Sequence, residues 1–106
     1  MDDDQLIAKL QRRFDPAAAG DLNATYQFLL HDADDHHLVI EGGNLNVHAG
    51  HHTAPDVTIE SDTATLVALI KKELNAMQAL VGGRVKVKGD IGLAARLPKL
   101  FGKHND

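Results

Sequence analysis

Apolar residues along this chain change their spacing several times, and each change predicts a new element. Leu6, Ile7, Leu10 and Phe14 recur at helical spacing, and Asp2, Asp3 and Asp4 at the start of this stretch with Lys9, Arg12 and Arg13 toward its end follow the charge order a helix dipole favours. Pro16 and Gly20 are expected to end this helix and open a loop. The period then drops to two: in "LNATYQFLL", Leu22, Ala24, Tyr26, Phe28 and Leu30 alternate with Asn23, Thr25 and Gln27, the pattern of a strand buried on one face. "HHLVIEGGNLNVHAG" reads as a hairpin about Gly42-Gly43, because glycine supplies the positive φ that a two-residue turn requires. That turn sets Ile40 opposite Leu45 and Leu38 opposite Val47, and it places His37 beside His48 on the other face.

The pattern continues with "VTIE", a fourth strand with Val57 and Ile59 inward. Ser61 or Asp62 can cap a helix whose stripe is Leu66, Val67, Ile70 and Leu74, supported by Leu69. "NAMQALVGG" is a short further turn that carries Met77, Leu80 and Val81. In "RVKVKG", Val85 and Val87 face in while Arg84, Lys86 and Lys88 face out, as in an edge strand guarded by lysines. Asp90 is placed to cap a final basic amphipathic helix, with Leu93, Ala94, Leu97, Leu100 and Phe101 on its apolar face. Pro98 lies inside it and is expected to kink or break it near Leu97. The predicted order is α, four β, α, β, α, a single α+β domain over residues 1–106.

Composition changes this picture only at the edges. The chain of 106 residues is 43% hydrophobic and 25% charged, enough for one core and without the polar bias of a disordered protein. It has no cysteine, which excludes disulfides, thiolate metal sites and thiol nucleophiles. The net charge of -4 argues against nucleic acid as a partner, although from Arg84 onward six cations face two carboxylates and make a basic final quarter. No apolar run approaches the ~20 residues of a membrane span, and the opening "MDDDQ" is the reverse of a basic signal peptide, so a cytoplasmic protein is expected.

Candidate chemistry is sparse. Gly82-Gly83 leads into a strand and "KGDIG" lacks a Lys-Ser/Thr pair, so neither reads as a phosphate loop. Six of the seven histidines fall between His31 and His52, and His37, His48, His51 and His52 are the candidate imidazoles of a zinc site. Their spacing matches no regular ligand motif, which favours exposed histidines and no metal. Ser61, the only serine, is better used as a cap, and no nucleophile-base set is legible, so no enzyme is expected.

The segment from Ala54 to Phe101 resembles the sterol carrier protein type 2 (SCP2-like) family, in the form of a small stand-alone prokaryotic-type member. Asp56, Leu74-Asn75, Ala79-Leu80, Gly83, Val85, Val87, Gly89-Asp90 and the run Leu97 to Phe101 occupy the matching places, and Phe28 with the Gly42-Gly43 hairpin extends the likeness loosely over the chain. The resemblance implies an α+β fold with a five-stranded, mostly antiparallel sheet and helices packed on one face, enclosing an apolar tunnel. It also implies non-catalytic binding and transfer of a fatty acid, fatty acyl-CoA or other lipid, with no cofactor. Carried over by position, the lining would be Phe28, Leu66, Leu69, Ile70, Met77, Leu80, Val81, Leu97 and Phe101. Each of these taken alone reads more readily as dry core, because periodic apolar residues are normally core.

Lys86, Lys88, Arg96, Lys99 and Lys103 are expected to hold an acidic head group or touch an anionic membrane. Ala76 stands where the family often has proline, and Leu80-Val81 replaces bulkier side chains. The carboxyl end "KHND" is not a peroxisomal address, so sterol is the less expected ligand. The alternative reading is a protein-interaction or accessory subunit with a closed tunnel, supporting a lipid or isoprenoid-quinone pathway.

Overall fold

A computed structural model describes residues 3–102. Helices α1 (Asp3–Arg13) and α2 (Pro16–Ala19) precede strands β1 (Ala24–Leu30), β2 (His36–Glu41), β3 (Asn44–Ala49) and β4 (Val57–Ser61). Helices α3 (Thr63–Ile70) and α4 (Ala76–Val81), strand β5 (Lys86–Gly89) and helix α5 (Ile91–Leu100) follow. The five strands form one sheet in the order β3-β2-β1-β4-β5. Only β1 and β4 run parallel; every other neighbouring pair is antiparallel.

The hairpin has the register that its alternation requires: Leu38 pairs with Val47, Ile40 with Leu45 and His37 with His48. Gly42 and Gly43 make its turn at φ 58° and 78°, in the region that glycine enters without Cβ strain. The buried apolar residues of β1, β2 and β4 are Ala24, Tyr26, Phe28, Leu30, Leu38, Ile40, Val57 and Ile59. They fall on one set of alternating positions, so they share one face, and they join a single core with Leu6, Leu10 and Phe14 of the N-terminal segment and Leu97, Leu100 and Phe101 of the C-terminal one. β5 is an edge strand whose Lys86 and Lys88 are exposed, which discourages pairing with another chain.

Caps set the helix starts. Asp62 accepts from the Thr65 amide at 2.7 Å and Asp90 from the Leu93 amide at 3.2 Å. Asp32 adds a second anchor at α3 by accepting from both the amide and the hydroxyl of Thr63 at 2.9 Å. These hydrogen bonds from Thr63 hold the Asp32 carboxyl below its usual range, and those from Thr65 do the same for Asp62.

The elements differ from the expected ones in four places. Residues after Pro16 form a helical turn, not a loop, because proline is preorganised for the first helical position and Asp15 accepts from the Ala17 and Ala18 amides. α3 ends at Ile70, with Lys72 in the left-handed region at φ 62°, so Leu74 lies beyond the helix instead of on its stripe. "AMQALV" is a true short helix, started by the Asn75 side chain accepting from the Met77 and Gln78 amides. α5 runs unbroken through Pro98, whose lost bond falls in the last turn, where the burial of Leu97, Leu100 and Phe101 holds the chain.

Candidate functional site: an apolar cleft under the last two helices

Between the β4-β5 end of the sheet and helices α4 and α5 the packing is incomplete, leaving a half-open cleft of about 60 Å³. Ile59 and Val87, paired across β4 and β5, form its floor with Val85. Leu69 closes one side, while Ala76, Met77 and Leu80 of α4 form another wall. Ile91, Ala94, Ala95, Leu97 and Pro98 of α5 complete the lining. Every one of these side chains is apolar, so the cleft offers dispersion and water exclusion but no side-chain hydrogen-bonding group, general base or nucleophile. Its present space is several times the ~10–15 Å³ one water needs and far short of the roughly 300–1,000 Å³ of a filled ligand pocket.

The nine residues expected to line a ligand space divide three ways. Leu69, Met77, Leu80 and Leu97 lie on the cleft. Phe28, Leu66, Ile70 and Phe101 are fully buried in the core and do not reach the cleft. Val81 is 81% exposed and lies outside the cleft lining, one turn along α4 from Met77. Sequence reasoning passed over Ile59, Ala76, Val85, Val87, Ile91, Ala94, Ala95 and Pro98 as cleft residues. Three of those are alanines: small residues leave the space, and a search for bulky lining does not find them.

The cations expected at a head group are also divided. Val87 faces the cleft, so strand alternation puts Lys86 and Lys88 on the opposite face of the sheet. There Glu60 is held below its usual range, first by the hydrogen bond from His31 and then by the charges of Lys86, His31 and Lys88. Arg96 and Lys99 are exposed on α5, the helix that borders the cleft, and Lys103 lies outside the described residues. Beneath α5, Tyr26 donates its hydroxyl to the Leu93 carbonyl at 2.7 Å. Its burial pushes the phenol up to about 12, and the nearby Arg96 charge partly opposes that shift.

The histidine candidates do not assemble a metal site among the described residues. His37 and His48 stack with ring centroids 5.1 Å apart, and His52 meets His37 edge-on at 5.4 Å. The His52 Nδ1 accepts from the Ala54 amide, so in the neutral ring its other nitrogen carries the proton and offers no lone pair. His51 is bound to Asp35 at 2.7 Å. His36, by contrast, is buried on the core side and donates through Nδ1 to the Asp34 carbonyl at 2.8 Å, a structural bond.

Similarity to known proteins agrees with this architecture. Human stomatin-like protein 1 is 32% identical over 105 residues, with 87% of this chain and 24% of that protein covered. Xenopus tropicalis hydroxysteroid dehydrogenase-like protein 2 is 30% identical over 83 residues, covering 76% of this chain and 20% of that protein. The chain thus spans about a fifth to a quarter of the length of the curated relatives it matches.

Among solved structures, the sec-alkylsulfatase Pisa1 from Pseudomonas sp. superposes with a TM-score of 0.80 at 26% identity, over 87% of this chain and 15% of that one. Palmitated SCP2L2 from Aedes aegypti superposes at 0.69 with 24% identity, over 100% and 99% of the two chains. The ubiquinone synthesis protein UbiJ-SCP2 gives 0.72 at 18% identity, over 93% and 88%. The family model of the SCP-2 sterol transfer family matches residues 4–102. With its five-stranded sheet and overlying helices, the chain belongs to the SCP-2 sterol transfer family.

Proposed function

We propose that this chain binds and carries a single-tailed, fatty-acid-like lipid, without acting on it chemically, by opening the cleft between β4-β5 and helices α4 and α5. The observation that carries this reading is the cleft wall itself, assembled entirely from apolar side chains, with five elements contributing to it. Each buried methylene contributes about 0.8 kcal/mol, so several carbons of an alkyl tail offset the entropy of association. Met77 is 64% exposed at the mouth, and its unbranched side chain adapts to a guest at small cost. A carboxylate left at the mouth would meet Arg96 or Lys99 of α5. The shared fold of a palmitated relative supports the same chemistry of cargo.

A second reading is favoured by the small size of the cleft and by the fold shared with a ubiquinone synthesis protein. In it the chain is an accessory subunit in a lipid or isoprenoid-quinone pathway and acts through protein contacts with its cleft closed.

Native mass spectrometry of the purified chain mixed with palmitate separates the two. One bound palmitate per chain, lost in Leu80→Trp while that variant keeps its circular dichroism, supports the carrier. No adduct at any palmitate concentration supports the accessory subunit.

A further inference from the structure

The large apolar side chains left exposed among the described residues are Met77, Val81 and Ile91, at 64%, 81% and 60%. They are not scattered. Met77 and Ile91 both line the cleft, and Val81 follows Met77 by four residues on α4, one helical turn along the same side. On α5, Ile91, Ala95 and Lys99 recur every four residues and all are exposed, so they form one outward ridge with a cation at its end. The mouth of the cleft is therefore ringed by exposed hydrophobic residues, the arrangement that soluble proteins normally bury or use.

Charge narrows what this rim meets. Between residues 71 and 102 the chain carries seven cations, Lys71, Lys72, Arg84, Lys86, Lys88, Arg96 and Lys99, against the carboxylates Glu73 and Asp90. The first 70 residues carry three cations against twelve carboxylates. Of the seven cations, Lys86 and Lys88 face the other side of the sheet, while Arg96 and Lys99 are exposed on α5, Lys99 at the end of the Ile91-Ala95 ridge, so an otherwise acidic chain sets positive charge beside its apolar rim. Apolar side chains that enter the acyl boundary, flanked by cations that pair with phosphates, are the requirements of an interfacial contact with anionic lipid.

We propose that the rim formed by Met77, Val81 and Ile91 docks the cleft mouth-down on an anionic lipid surface. This rests on the carrier reading only for its purpose: a tail passing from bilayer to cleft would not cross water. It moves the membrane contact from the lysine strand, which faces the other side of the sheet, to helices α4 and α5.

The chain has no tryptophan, so one introduced indole reports without background. Val81→Trp is the clean reporter because Val81 lies off the cleft, and Asn46→Trp, exposed on the far edge strand β3, is its control. With vesicles of three parts phosphatidylcholine to one part phosphatidylglycerol, the Val81→Trp emission maximum is expected to move about 10 nm to the blue, while Asn46→Trp does not move. Pure phosphatidylcholine or high salt should at least halve the Val81→Trp response, as screening of an electrostatic attraction requires. An unmoved Val81→Trp spectrum with anionic vesicles, or an equal shift at Asn46→Trp, overturns the docking mode. Palmitate uptake from vesicle-free solution by the unsubstituted chain reads the carrier proposal separately: uptake without an indole shift removes the docking, and an indole shift without uptake removes the carrier.

Discussion

The two ends of one sheet are built from similar residues and packed differently. Beneath β1 and β2, Tyr26, Phe28, Leu38 and Ile40 are wholly buried, each an inward residue of a long strand. Beneath β4 and β5 the floor is Ile59 with Val85 and Val87, roofed by the six-residue α4 and by the alanine-bearing face of α5. Val87 remains partly exposed, and Met77 only leans over the gap. Hydrophobic patterning is equally regular at both ends. What differs is the size of the roof: large side chains close the first region, and small residues on a short helix leave the second open.

Substitutions should expose this contrast in order of size. Phe28→Ala is expected to lower the free energy of unfolding by about 3–5 kcal/mol in urea denaturation, the cost of a hole in tight packing. Met77→Ala, at the open end, should stay within about 0.5 kcal/mol. A comparable loss from both would mean that the cleft end is as solid as the core.

Gly89→Ala should cost more than about 1 kcal/mol, because φ is +96° there and an added Cβ would lie 2.6 Å from the Asp56 carbonyl oxygen, forcing β4 and β5 apart. Chemical denaturation followed by circular dichroism gives the number.

Asp62→Ala removes the start of α3 and should cost about 1 kcal/mol. Because the Asp32 and Asp62 pKa values are depressed in the folded chain, their stabilisation is present above the ordinary aspartate range and is lost as pH falls below about 4 and through the depressed values. The double variant Asp32→Asn/Asp62→Asn should flatten that acid limb of a thermal-melt series; an unchanged limb would assign it to other carboxylates.

A small gain should come from Lys72→Gly. Relieving a left-handed lysine at φ 62° is worth up to about 1 kcal/mol before the added flexibility of glycine subtracts from it. A small rise in the melting temperature is the expected readout.

Much of the fold was legible because local rules agree with one another. Alternation and the Gly42-Gly43 turn together fixed which residues of β2 and β3 face each other, and Asp62 and Asp90 announced their helices by position. The parallel pairing of β1 with β4 was not legible, since the contact between Phe28 and Ile59 strands spans a connection whose return path leaves no local signature. The cleft was legible only in part for a related reason. Periodicity says which way a residue faces and not how far from the centre of the sheet it stands, so Phe28 and Ile59 look alike in sequence and end in different surroundings. Ala76, Ala94 and Ala95 define the gap by what they lack.

One arrangement decides which roof element yields to a guest. α5 is latched at several points: the Tyr26 hydroxyl holds the Leu93 carbonyl at 2.7 Å, the Asp15 amide holds that of Leu100 at 2.8 Å, and the Arg13 Nε holds that of Phe101 at 3.2 Å. α4 sinks only Ala79 into the core, and it hangs between the left-handed Lys72 link and Gly82-Gly83. It is the trapdoor and α5 is the frame. Amide protons of α4 should therefore exchange with deuterium well before those of α5, and saturation with palmitate should slow the former while leaving the latter nearly untouched.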